Sequence, residues 1–248
     1  MPPPAAPVPR ILVVSLARAV DRRRSIEAGF GALGLPFDIV DAVDGRTEDV
    51  SGDVSQWRSR LEIGRPLSTG EVAASVSHQR AYQQIVDDDL PYALVVEDDI
   101  EPTPGLIDVL GAVDRLPPDW DVVTLHSLFA SAGPRPLPGP PLTGDFRVCT
   151  YARMPYGAQG CLVSRRAAER LLAVGRPIRF PPDDVIFRPR PARLRIYGIE
   201  PSPIVHADFG SELGVTRTDD ARGIARIAAR VVVAAGKVRA RIHRRLDR

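Results

Sequence analysis

Three consecutive carboxylates, Glu97, Asp98 and Asp99, close the apolar run Tyr92-Ala93-Leu94-Val95-Val96. Two hard oxygen donors this close together suit a magnesium or manganese ion, which keeps water and substrate oxygens as its other ligands. If the strand's period of two persists to its end, Glu97 and Asp99 share a face and Asp98 points away. The alternative is an acidic turn after a core strand, since three-residue motifs are common. Arg18 and Arg22, with Arg23 and Arg24, crowd the turn after another apolar run, Ile11 to Leu16, where guanidinium forks suit a phosphate. Further on, Asp183 and Asp184 lie between prolines and an apolar run, where a carboxylate either caps a helix or serves as a general base.

Other polar groups carry two readings each. Asp44, in Ala42-Val43-Asp44-Gly45, either closes a turn or holds a ribose or sugar hydroxyl. His78 is either a hydrogen-bonded core residue or part of a substrate site, and His206 either ligates a metal or ends a strand. Cys161 lies in an apolar stretch and reads as a small core residue rather than a nucleophile.

The elements that must position these groups alternate as in an α/β chain. The run Ile11–Leu16 predicts a strand, followed by a helix over 21–33 and a second strand over 37–40. No clear periodicity marks 47–66. Ser68, with Glu71 three residues on, predicts a capped helix running to about 88. On it Ala74, His78, Ala81 and Ile85 share a face opposite Val72 and Val76, so both sides should be covered. After the carboxylate strand come a helix over 105–116 and a strand over 120–126. The segment 133–141 holds five prolines; lacking their amide donors, it should be a loop over the site. A strand over 156–164 leads into a helix over 165–174 with Ser164 as its cap, and short strands follow over 195–199 and 204–206.

With 248 residues, 44% hydrophobic and 26% charged, the chain can bury a core of domain size. We expect a flexible segment over 1–10, a main domain over 11–216 and a basic tail over 217–248. The net charge of +2 conceals that tail, where ten Lys/Arg face three Asp for a net +7. Within it Ile224, Ile227, Val231, Ala234, Val238 and Ile242 form an amphipathic helical pattern, which either packs on the domain or lies on an anionic bilayer surface. Two cysteines in a chain of this length point to reduced thiols and a cytoplasmic setting. Residues 1–10 lack a basic-then-apolar signal pattern, and no apolar run reaches bilayer-spanning length.

Several motifs arrive together: Val14-Ser15-Leu16 with Asp21-Arg22-Arg23; Ala42-Val43-Asp44-Gly45; Leu67-Ser68-Thr69-Gly70-Glu71 with Ser77-His78; Val96-Glu97-Asp98-Asp99; Gly157 to Leu172; and Pro182-Asp183-Asp184. In this order they resemble glycosyltransferase family 25, bacterial lipopolysaccharide-biosynthesis and collagen-modifying galactosyltransferases. The resemblance runs from about Ile11 to His206 and is most specific in the Gly70 to His78 block and in Glu97-Asp98-Asp99. It implies a GT-A-like nucleotide-sugar-binding α/β fold, with a mixed central sheet flanked by helices. It also implies dependence on Mn or Mg and inverting transfer of a hexose, often galactose, from a UDP-sugar to a glycan or glycolipid hydroxyl. Nucleic acid is not an expected partner.

On that reading Glu97, Asp99 and His206 would hold the metal, while Ser15, Leu16, Arg18, Arg22, Asp44, Ser77, His78 and Asp98 would bind the donor. Asp183 or Asp184 would be the base, the spacing to Ile186 favouring Asp183. Members commonly show Asn at the position of Ser15, and a hydroxyl reaches less far than an amide. One rival is a Mg-dependent phosphoryl hydrolase, which would want an aspartyl nucleophile after the first strand; Ser15-Leu16-Ala17 offers none. The other is a non-catalytic, transferase-like binding module tethered by the tail.

Overall fold

The computed structural model describes residues 8–126, 136–151, 157–188 and 192–207. The tail at 217–248 lies outside the described residues, as do residues 133–135 of the proline-rich segment and Tyr156. The chain opens with strand β1 (Arg10–Ser15), helix α1 (Val20–Ala32) and strand β2 (Asp38–Asp41). The segment without periodicity holds a 3₁₀ turn and helix α2 (Gln56–Ile63), which ends at Gly64 in the left-handed region (φ 83°). Next come helix α3 (Thr69–Asp87), strands β3 (Tyr92–Glu97) and β4 (Ile100–Pro102), and helix α4 (Gly105–Leu110). Strands β5 (Val122–Thr124), β6 (Pro136–Thr143), β7 (Phe146–Tyr151) and β8 (Gly160–Ser164) precede helices α5 (Arg165–Gly175) and α6 (Pro182–Phe187). Strands β9 (Ile196–Glu200) and β10 (Ile204–His206) follow.

Among the described residues, eight strands form one mixed sheet in the order β2-β1-β3-β8-β5-β9-β7-β6, and β10 pairs with β4 in a separate two-stranded sheet. β1 runs parallel to both β2 and β3, whereas β8 is antiparallel to β3 and β5. Both faces of the centre are covered, which is why β1 and β3 read as continuous apolar runs. The alternation is nevertheless strict. Ile11, Val13, Leu94 and Val96 pack with Ile26 and Phe30 of α1 and Leu106 of α4. Leu12, Val14, Ala93 and Val95 pack on the other face with Ala81, Tyr82 and Ile85 of α3 and Leu171 of α5. α3 thus buries residues around most of its circumference, as expected of a helix covered on both sides.

Two expectations need correction. Residues 136–143 of the proline-rich segment are a strand, paired antiparallel to β7 with register shifts between Pro138 and Pro141 and again before Thr143. β6 is the last strand of the sheet; an edge strand has to pair on one side only, and this makes prolines tolerable there. The helix expected over 105–116 stops at Leu110, where Gly111 ends it, and a separate 3₁₀ turn covers Val113–Arg115. Among the described residues no helix is long and apolar enough to cross a membrane.

Candidate active site

A cleft of about 270 Å³ opens at the carboxyl ends of the parallel pair β1 and β3, against the first half of α3. Its wall brings together Leu16, Arg18, Arg22, Asp44, Ser77, His78, Glu97 and Asp98. These eight residues lie on four segments between Leu16 and Asp98. Strand ends of open α/β sheets are where such groups collect. Arg46 also lines the cleft without having been singled out from the sequence, and Thr69 and Gly70, quoted there only as part of a motif, line it from just inside the Ser68 cap.

The alternation of the sheet decides where each acid goes. Glu97 continues the α3-facing series, and its Oε1 lies 3.0 Å from Nε2 of His78 on that helix. Asp98 falls on the α1 side, where Arg22 Nη1 donates to Oδ1 at 2.9 Å and the Ser15 hydroxyl donates to Oδ2 at 2.6 Å. Arg22 and Asp98 form a buried ion pair, with side chains 11% and 9% exposed. Ser15 is itself buried behind Asp98, off the cleft wall, where its hydroxyl positions that carboxylate. Asp98 thus leaves the face of Glu97, as a period of two requires, and still lines the cleft where β3 ends.

α3 holds the other wall in register. Its capping box is complete, with Glu71 N–H donating to Ser68 Oγ at 3.2 Å and Ser68 N–H donating to Glu71 Oε2 at 2.9 Å. Ser77 Oγ accepts from Val43 N–H at 2.8 Å and donates to Ala73 O at 2.7 Å, pinning the turn that carries Asp44. Asp44 accepts from Arg46 N–H at 3.0 Å and from Arg18 Nε at 2.6 Å, and these two bonds hold its carboxyl below the ordinary range. Gly45 suits a close approach: a Cβ there would come within 3.1 Å of Thr69 and 3.2 Å of Ala73, so those neighbours would have to shift.

Asp99 lies just beyond, in the turn between β3 and β4. Its carbonyl accepts from Ala207 N–H at 2.8 Å, and its Oδ2 is 3.9 Å from Arg22. Oδ1 is buried without a hydrogen-bond partner among the described residues. Burial first, and then the charge of Glu97, push this carboxyl up to about 6. A buried, partnerless oxygen beside a second carboxylate fits a divalent cation, since a positive charge would relieve both penalties. Among the described residues no three His, Cys, Asp or Glu side chains gather closely enough to hold an ion. His206 is exposed on β10, opposite Ile100 in the register and within electrostatic reach of Asp99. A small β-ribbon, not the main sheet, carries His206, so its direction was not readable from sequence.

His126 was not singled out by sequence reasoning. It follows β5 at its carboxyl end, 6.4 Å ring to ring from His206, with the Ile204 backbone as a neighbouring polar group. Burial pushes its pKa down. Asp183 and Asp184 occupy the first turn of α6, outside the cleft wall. Burial raises the Asp183 carboxyl, with further contributions from Asp184 and Glu97. Asp184 pairs with Arg188 at 2.9 Å. Cys161 is buried in β8 with its thiol pushed up to about 12 by desolvation, as a core residue should be.

Every residue of the cleft wall falls inside one matched region. Residues 8–115 fit the model of glycosyltransferase family 25 (LPS biosynthesis protein). That match spans somewhat less than half of the chain, and similar proteins align along more of it. The lacto-N-neotetraose biosynthesis glycosyltransferase LgtB of Neisseria gonorrhoeae is 30% identical over 185 residues, 70% of this chain and 64% of that protein. Procollagen galactosyltransferase 2 of Mus musculus is 27% identical over 124 residues, 46% of this chain and 20% of that protein. The chain thus spans less than two thirds of the length of the curated relatives it matches. A solved glycosyltransferase involved in glycosylating the major capsid of PBCV-1 overlaps 77% of this chain and 82% of its own, at 13% identity and a TM-score of 0.41. That likeness is too distant to bear on function.

Proposed function

We propose that the chain is a glycosyltransferase with a GT-A-like donor site, moving a hexose such as galactose from a UDP-sugar to a glycan or glycolipid hydroxyl with inversion. The observation that carries this reading is the cleft at the ends of β1 and β3, walled by family 25 residues and pairing arginines with strand-end carboxylates. Arg18 and Arg22 place positive charge where a diphosphate would lie, and Asp44 offers a carboxylate to ribose or sugar hydroxyls. Glu97 and Asp99 are the pair that would hold Mn or Mg, which when bound neutralises charge on the departing diphosphate. His78 fixes the Glu97 carboxylate, and the Ser15–Asp98–Arg22 network fixes the turn that presents both acids.

Asp183 is the better candidate for the general base. A carboxylate with a raised pKa is a stronger proton acceptor, and Asp184 is already engaged by Arg188. Asp183 would take the acceptor hydroxyl's proton as that oxygen attacks the anomeric carbon, and UDP would leave from the opposite face. The basic segment 217–248 would draw the chain to an anionic bilayer displaying a glycolipid acceptor.

Calorimetry with UDP and Mn²⁺ tests the donor site. Metal-dependent UDP binding that disappears in Asp99→Asn is the expected result, and metal-independent or absent UDP binding would refute the reading. Release of inorganic phosphate from small phosphate esters would favour the hydrolase instead. Donor screening by product mass then identifies the sugar. Deleting residues after Thr218 should abolish sedimentation with anionic vesicles at low salt.

A further inference from the structure

A second cleft, about 690 Å³ in volume, lies beside the first and shares Gly45 and Thr69 with it. We propose that it binds the neutral saccharide end of the acceptor, with the Trp57 indole as the platform for a sugar ring; this rests on the transferase reading above. Trp57 lines the cleft from α2 and is 63% exposed, although an indole of this size usually buries most of its surface. A pyranose presents a face of C–H groups, and these are attracted to the electron-rich face of an aromatic ring. The hydroxyls around such a ring need polar partners, which Glu48, Asp49, Ser51 and Ser55 supply along the same wall.

Charge separates the two clefts. The first is lined by Arg18, Arg22 and Arg46; the described lining of the second holds two carboxylates, of which Glu48 is paired with Arg80 at 3.5 Å, while the Arg58 guanidinium lies beside the indole. This balance attracts a nucleotide diphosphate or an anionic bilayer less than the first cleft does and leaves an uncharged polyol unopposed.

The platform is also fixed in advance. Gln56 is bonded to Leu67 twice, through Nε2 to the carbonyl and through Oε1 from the amide, each at 2.9 Å. Ser55 N–H donates to Ile178 O, and Ile178 N–H to Asp53 O, both at 2.8 Å. The Arg58 guanidinium lies 5.2 Å from the Trp57 ring centre. Holding an aromatic anchor rigid lowers the ordering cost of binding. Because the clefts adjoin at Gly45 and Thr69, a sugar in the second can present a hydroxyl toward a donor in the first.

The test uses the full chain with UDP and Mn²⁺ on an array of neutral glycans, comparing wild type with Trp57→Ala and Trp57→Phe. Wild type should bind at least one glycan class saturably. Trp57→Ala should weaken that binding by about tenfold or more, whereas Trp57→Phe should stay within about threefold. UDP affinity by calorimetry should be unchanged in both variants. Equal glycan binding by Trp57→Ala, or no neutral glycan bound by wild type, overturns the proposal. Trp57-dependent sedimentation with phosphatidylcholine–phosphatidylglycerol vesicles in place of glycan binding overturns it as well. Failure of wild type to bind UDP would instead count against the transferase reading, whatever the glycan result.

Discussion

The two clefts that meet at Gly45 and Thr69 are built on opposite plans. The first draws its polar groups from strand ends and ties them into a buried network, Ser15 and Arg22 on Asp98 and His78 on Glu97. The second displays an exposed indole on a short helix over a rim of serines and carboxylates. A buried ionic network fixes geometry but tolerates little change, because removing one partner strands the other in a low-dielectric site. An exposed aromatic can be replaced at small cost to the fold, so ligand affinity and stability are separable there.

The sharpest way to break the comparison is Asp98→Ala, which removes the carboxylate that accepts from the buried Arg22 guanidinium at 2.9 Å. It should destabilise the chain by about 3–5 kcal/mol in urea unfolding and abolish UDP binding. Asp183→Asn should lower kcat by about a hundredfold or more while UDP affinity by calorimetry stays unchanged, since the lost function is proton transfer.

Asp99→Asn should act on stability with the opposite sign to Asp98→Ala. The Asp99 carboxyl, raised to about 6 in the folded chain, contributes stability below about pH 4 that is lost as pH rises through 6. In EDTA the asparagine variant should therefore exceed wild type by roughly 2–3 kcal/mol at pH 7, and the difference should vanish below pH 4. Ser68→Ala removes the cap of α3 and should cost about 1 kcal/mol, read as a lowered thermal midpoint with UDP still bound. Smallest of all, Trp57→Ala should change unfolding free energy by no more than about 0.5 kcal/mol. A larger loss would mean that the second cleft is as much a structural joint as the first.

Much of the first cleft was legible because its residues terminate strong local patterns. The apolar run ending at Glu97, the arginines after Leu16 and the Ser68–Glu71 cap each announce a strand or helix end, and α/β geometry gathers such ends on one side of the sheet. The strand hidden in the prolines of 136–143 was not legible, because only a position at the sheet edge makes it permissible. Residues 47–66 lacked periodicity, and so Trp57 attracted no notice even though it lines the larger cleft.

By itself the sequence determined which side chains could do chemistry and which elements carry them, since propensity, capping and apolar period are local properties. Tertiary structure alone decided how the three acids divide: Glu97 to His78, Asp98 to Arg22 and Ser15, Asp99 to a buried turn. It also set His206 on a two-stranded ribbon beside the turn of Asp99. Those assignments depend on which helix covers each face of β3 and on where the strand stops, and both are fixed by packing across the sheet rather than by neighbours along the chain.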